Sequence, residues 1–194
     1  MSKIAILSAV AVLALVTGHS VMAQESTTVL GPTLFDECAN AAASAQKIGK
    51  ADRAGIDTCS QAIGRSWSTV GETAAAFLNR GTLHLVRGEN EQAAADFSRA
   101  IKASPSLAAA YNDRGVAYSA LHRSAEAVRD FTTALSLKAD NADQVLFNRA
   151  MAHEDQGDLK LAYLDYRAAA DLNPQWDLPA KQLARFSVGH SPAS

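Results

Sequence analysis

The chain has 194 residues with 18 basic and 20 acidic side chains, a formal charge of −2 at neutral pH. Both signs are interspersed along its length, which excludes the basic stripe of a nucleic-acid-binding surface. The length suffices for one domain with a sizeable core or for a short array of stacked repeats, and periodicity has to choose between them.

Lys3 precedes an apolar run from Ile4 to Val16, and Val21-Met22-Ala23 supplies small residues ahead of a polar stretch. This predicts a secretory signal peptide over residues 1–23. An apolar run thirteen residues long is too short for a membrane-spanning helix, which needs about 20. Cleavage after Ala23 leaves a linker, residues 24–34, and no second apolar segment for membrane insertion. The expected product is soluble and exported, either periplasmic or secreted. Cys38 and Cys59 are an even count in a chain bound for an oxidising compartment, so a disulfide is expected. Closing that loop would contribute roughly 3 kcal/mol in the chain-entropy treatment. Two buried unpaired thiols are the alternative.

From residue 74 the sequence repeats. Phe77-Leu78-Asn79-Arg80-Gly81 aligns with Tyr111-Asn112-Asp113-Arg114-Gly115 and with Leu146-Phe147-Asn148-Arg149-Ala150, at offsets of 34 and 35 residues. Ala93, Phe97 and Ala100 match Ala127, Phe131 and Ala134, then Ala162, Tyr166 and Ala169; Pro105 and Pro174 close the first and third units. Each unit carries two stretches of helical periodicity, broken at Gly88, at His122-Arg123 and at Gly157. The units are therefore helical hairpins, over residues 74–107, 108–142 and 143–176, and a period of this length predicts an array. Gly88 and Gly157 suit a left-handed helix end, and the middle unit, lacking that glycine, should turn more loosely. An extra residue near Asn141 should displace the junction between the second and third units.

These residues resemble the tetratricopeptide repeat family: an aromatic opener, a small residue four on, a second aromatic, Ala-x3-Phe and a closing Pro. Arg80, Arg114 and Arg149 depart from it, standing where the family usually has Leu. The resemblance implies an all-α, right-handed superhelical solenoid of antiparallel helix pairs. Upstream, residues 35–70 read as a degenerate first hairpin, with Ala39 and Ala43 in one helix and Gly55, Cys59 and Ala62 in the other. Folding it would bring Cys38 towards Cys59. Residues 177–188 look like a capping helix opened by Pro179, and residues 189–194 lack an apolar pattern and are expected to be disordered.

Arg80 precedes Asp96, Arg114 precedes Asp130, and Arg149 precedes Asp165, each by sixteen residues. An inward-facing guanidinium needs a partner, so a ladder of ion pairs between helices is expected. Capture of a ligand carboxylate or phosphate by these arginines is the alternative. The resemblance also implies a concave groove lined by first helices. Its candidate residues are Leu78, Thr82, Leu85 and Val86, then Asn112, Val116 and Ser119, then Phe147, Met151, Glu154 and Asp155. They suit a protein or peptide partner with one or two apolar anchors and a basic residue near the third unit. Leu78, Val86 and Phe147 could instead pack against the terminal elements. Relatives that grip a chaperone's C-terminal carboxylate use Lys and Asn where Leu78 and Thr82 stand. His84 and His153 occupy the second aromatic position and read as packing residues. With His122 and His190 they lack ligands at metal spacing, and there is no Gly-x-Ser-x-Gly elbow, phosphate-cradling loop or Cys-x-x-Cys pair. The expectation is a non-catalytic scaffold without metal or cofactor; the alternatives are a module of the cell envelope that associates with itself and an enzyme of unrecognised type.

Overall fold

The computed structural model describes residues 33–65 and 68–188. The signal-peptide pattern, most of the linker and the tail 189–194 lie outside them. Among the described residues there are nine helices and no strand. They are α1 Leu34–Ile48, α2 Arg53–Ile63, α3 Val70–Val86, α4 Asn90–Ala103, α5 Ala108–Ala120, α6 Ser124–Ser136, α7 Ala142–Asp155, α8 Leu159–Leu172 and α9 Asp177–Val188. The protein is an all-α stack of four helical hairpins closed by α9. Each helix packs on the next, and α1, α3, α5 and α7 also touch in series. The first helices therefore lie side by side, with the second helices behind them.

Local chemistry sets several of the ends. Thr33 and Asp36 form a capping box on α1, as do Thr69 and Glu72 on α3. The turns inside the three repeats share one geometry: the carbonyls of His84, Tyr118 and His153 accept from the amides of Glu89, Arg123 and Asp158 at 2.8–2.9 Å. This closure places Gly88 at φ 75° and Gly157 at φ 80°, and in the middle unit it forces His122 to φ 57°. The middle turn is thus not looser, because the flanking helices fix it and His122 bears the strain. The extra residue before α7 is absorbed locally too. The carbonyls of Ala100 and Ala169 accept from residues four on, Ser104 and Asn173, whereas that of Ala134 accepts from Ala139, five on. Lys138 at φ 60° makes that possible, and Ala139 is buried against Val145 instead of exposing a displaced junction.

The interior of each repeat depends on a close approach. A Cβ on Gly81 would lie 2.7 Å from the Phe97 ring, and one on Gly115 would lie 2.7 Å from Phe131. Phe97, Phe131 and Tyr166 are fully buried between helices brought together by these small residues. In the first hairpin a Cys38–Cys59 disulfide occupies the interior. The face of α1 turned inwards is Cys38, Ala42 and Ala45, whereas Ala39 and Ala43 point outwards. Cys38 supplies the reason, since its bond to Cys59 fixes which face looks in.

Three arginines tie the stack together. Arg80 donates from Nε and Nη2 to Asp96 at 2.6 and 2.8 Å; Arg114 does the same to Asp130, and Arg149 to Asp165, at 2.7 and 2.8 Å. Each fork joins the two helices of one hairpin. The remaining Nη1 reaches back to a hydroxyl on the preceding hairpin: Ser60 at 3.0 Å, Ser98 at 3.1 Å and Thr132 at 3.1 Å. Each rung therefore fixes a hairpin internally and registers it on its predecessor. Cys59-Ser60 falls in step with Phe97-Ser98 and Phe131-Thr132 through these contacts, which places the first hairpin in the same repeat.

His84 does more than pack. His84 Nδ1 bonds Glu89 Oε2 at 2.6 Å, and its Nε2 lies 3.9 Å from Asp96. His153 lies at the same 3.9 Å from Asp165, but its Nδ1 is buried without a partner. Asp158, one methylene shorter, stands where the first unit has Glu89. Burial lowers the His153 pKa, and the nearby Asp165 only partly opposes it.

Two measurements check these devices. Arg114→Met strands the Asp130 carboxylate and should lower unfolding stability by about 2–3 kcal/mol, whereas adding Asp130→Leu should recover most of it; a double-mutant cycle by urea unfolding that shows no coupling contradicts the rung. His122→Gly should relieve the left-handed strain by about 1 kcal/mol and raise Tm by roughly 2–4 °C, read by calorimetry.

Candidate functional site

The first helices meet along one face, and the candidate groove residues fall on it unequally. On α3, Thr82 is buried and its hydroxyl is spent on the Leu78 carbonyl at 3.0 Å. Leu78 and Leu85 pack on the core around Ala93 and Phe97. Val86 packs against the first hairpin's disulfide core. The apolar anchors expected over the first repeat thus pack partly into the fold, because α3 is flanked by α1 and α2 on one side and α5 on the other.

At the far end Phe147 is buried as well. Its ring lies edge-on to Tyr166 at 5.3 Å and against Trp176 at 4.8 Å, with Leu183 and Phe186 of α9 closing the cluster. Phe147 is therefore a core residue, and α9 caps that end by covering it. Glu154 is engaged too. Tyr166 donates its hydroxyl to Glu154 at 2.6 Å, and Arg185 of α9 approaches at 3.4 Å. Burial, reinforced by that bond to Glu154, pushes the Tyr166 phenol well up.

What remains open is the seam between α5 and α7. A cavity of about 330 Å³ lies there, lined by Val116, Ser119, Ala120, Asn148, Met151 and Asp155, with the Phe131 ring at its base. Val116, Ala120 and Phe131 make an apolar floor, and Met151, 49% exposed, stands as an adjustable wall. Asn148 and Asp155 supply polar edges. Four of the residues expected from sequence, Val116, Ser119, Met151 and Asp155, come together here; Asn148 was missed although it recurs with Asn79 and Asp113 one place before each arginine. A larger depression, about 510 Å³, is bounded by Val70, Thr73, Phe77, Arg99 and Lys102. It lies within one hairpin, not between two first helices.

The polar groups of α5 are poorly satisfied. The Ser119 hydroxyl is buried with no hydrogen-bond partner, and so is Oδ1 of the buried Asn112, whose amide group donates to Asp113 at 3.0 Å. Asp113 has no cationic partner among the described residues, and burial raises its pKa to about 6, with Asn112 pulling weakly the other way. The two acceptors stand side by side, with the Ser119 hydroxyl about two turns further along the same helix. Among the described residues no group of three His, Cys, Asp or Glu could hold a metal ion, and no helix is long and apolar enough to cross a membrane.

A family model described as Tetratricopeptide repeat matches residues 40–108, 78–126 and 112–175. Comparison with curated protein sequences finds no match. Among solved structures, the second TPR domain of human RPAP3, in complex with HSP70 peptide SGPTIEEVD, is similar at 24% identity and a TM-score of 0.58, over 61% of this chain and 98% of that one. The first TPR of Spaghetti (RPAP3), bound to HSP90 peptide SRMEEVD, aligns at 21% identity and TM-score 0.58, over 61% and 94%. A thermophilic TPR protein of Thermus thermophilus, TTC0263, aligns at 16% identity and TM-score 0.60, over 74% and 76%.

The Asp113 carboxyl gives a pH signature. Its folded pKa, about 6, lies above the ordinary 3.8, so the folded state binds the extra proton between these values and loses stability as pH rises through them. Asp113→Asn should therefore raise stability by about 1–2 kcal/mol at pH 8 and change it little near pH 4, as read by urea unfolding at both pH values.

Proposed function

The chain belongs to the tetratricopeptide repeat family, and from that premise we propose that it is an exported, non-catalytic scaffold holding an extended peptide across the seam between α5 and α7. The observation that carries this reading is the cavity itself, an apolar pit with Asn148 and Asp155 at its edge and a Ser119 hydroxyl that the fold leaves without a partner. One apolar side chain of the peptide enters between Val116 and Met151. Donors of the peptide meet the Ser119 hydroxyl, Asn148 and Asp155 at the rim.

Electrostatics select the peptide. The two RPAP3 domains bind peptides ending in Glu-Glu-Val-Asp. Here Asp155 is the one charged residue lining the cavity, which is lined by no Lys or Arg. An acidic peptide would meet like charge in a half-buried site, so the favoured partner is apolar with a basic or neutral flank. Export is supported by the Ile4–Val16 apolar pattern and by the fully buried Cys38–Cys59 disulfide, a bond at home in an oxidising compartment.

A peptide array read by fluorescence anisotropy tests this. Peptides pairing Leu or Met with Arg or Lys should bind the purified protein, and SRMEEVD should not. Met151→Glu narrows the pit and adds like charge, and should weaken binding at least about tenfold, while Leu161→Glu on the other side of the hairpin should not. Binding that favours acidic peptides, or that ignores Met151→Glu, refutes the placement.

A further inference from the structure

The first hairpin is closed by different means from the three that follow. Each of those buries an aromatic ring, Phe97, Phe131 or Tyr166, and ties its two helices with an arginine fork on an aspartate. In step with Phe97 the first hairpin has Cys59, in step with Asp96 it has Thr58, and α1 contains no arginine. Its buried apolar side chains are Ala42, Ala45, Ala51, Ala62 and the two cysteines, while Leu34, Phe35, Ile56 and Ile63 are only partly buried. At 15 and 11 residues, α1 and α2 are close to or below the length a lone helix needs in water, about 12–15 residues. The Cys38–Cys59 bond is therefore the one strong tie between them.

This hairpin packs on α3 and stands at the end of the stack. An end unit has one neighbour, so it can open without unseating the others. Ala76, Leu83 and Val86 of α3 lie beneath it, Arg80 Nη1 donates to the Ser60 hydroxyl at 3.0 Å, and Arg87 Nη1 donates to the Ala51 carbonyl at 3.3 Å. Neither sulfur is exposed, so a reductant meets the bond only when α1 and α2 part. A dithiol then supplies two electrons and two protons. Its thiolate attacks one sulfur, the S–S bond breaks, and the other cysteine leaves as a thiolate and takes up a proton. The second thiol of the reductant resolves the mixed disulfide, which frees the first cysteine as a thiol and leaves the reductant oxidised. We propose that the first hairpin is a redox-controlled end of the array: cleavage of Cys38–Cys59 by a dithiol releases α1 and α2, and the α3 face of Ala76, Leu83 and Val86 becomes the new terminus of the stack. The three repeats keep their own rings and forks and stay folded, since Arg80 gives up Ser60 but not Asp96.

Hydrogen exchange of the full chain, read by mass spectrometry with dithiothreitol as the reductant, tests this. Reduction, verified by alkylation of both cysteines, should speed exchange across residues 34–63 roughly a hundredfold, the factor expected when a loop of this size loses its cross-link. Residues 90–172 should keep their protection. Cys38→Ala combined with Cys59→Ala should show the same pattern without reductant and should not respond to it. Undiminished protection of residues 34–63 in the fully reduced chain overturns the proposal, and so does loss of protection in every described helix together. A bond that dithiothreitol leaves intact in the folded protein overturns it as well, since no dithiol could then work the device. Exchange is read without any peptide, so the groove reading is judged separately.

Discussion

Every hairpin from the second onward hangs on one interaction, an arginine that grips its own hairpin with two donors and the preceding hairpin with a third. The carboxylate side of this fork is buried or nearly so, and the guanidinium is about four-fifths covered. Ion pairs in such surroundings add little net stability over well-packed apolar groups, since desolvation cancels much of the attraction. Their geometry contributes register instead. A slip of one residue between neighbouring hairpins would strand a guanidinium, a carboxylate and a hydroxyl together, whereas alanine-rich helices sliding on apolar contacts alone would lose far less. The close fits of Gly81 on Phe97 and Gly115 on Phe131 need that register.

The ladder also has ends, and they explain the length of the array. The first hairpin offers Ser60 to the rung above it but has Cys38 and Cys59 in its own interior, where the disulfide does the joining. The last repeat completes its fork with Asp165, yet places Arg167 where Ser98 and Thr132 accept in the earlier units. A guanidinium there would repel a further arginine. Instead of another rung the chain supplies α9, which covers Phe147 with Trp176, Leu183 and Phe186.

Much of the scaffold was legible because its determinants are periodic. Spacing alone exposes Arg80, Arg114 and Arg149 with their aspartates, and the hairpin breaks at Gly88 and Gly157. The hydroxyl partners were not legible, since Ser60, Ser98 and Thr132 are unremarkable residues whose meaning comes from the neighbouring hairpin's position. The middle turn misled for a related reason: glycine signals a left-handed residue, but its absence at His122 does not forbid one when two packed helices dictate the path. The groove was the least legible part. Leu78, Thr82, Leu85, Val86 and Phe147 lie at the right positions of a first helix, and whether such a position is open depends on which helices flank it.

Apart from His153 on α7, the unmet chemistry lies in one helix. Along the ladder the buried acids and most of their neighbours are satisfied, while α5 holds Asn112 Oδ1, the Ser119 hydroxyl and the unpaired Asp113 within two turns of one another. Asn79 and Asn148 occupy the position of Asp113 in the flanking units, so a neutral amide is compatible with the repeat and the carboxylate is not required by it. Leaving a half-buried acid without a cation costs stability that the fold has no internal reason to give up. Of these groups the Ser119 hydroxyl is the one that lines the α5–α7 cavity, so a bound peptide would meet it there.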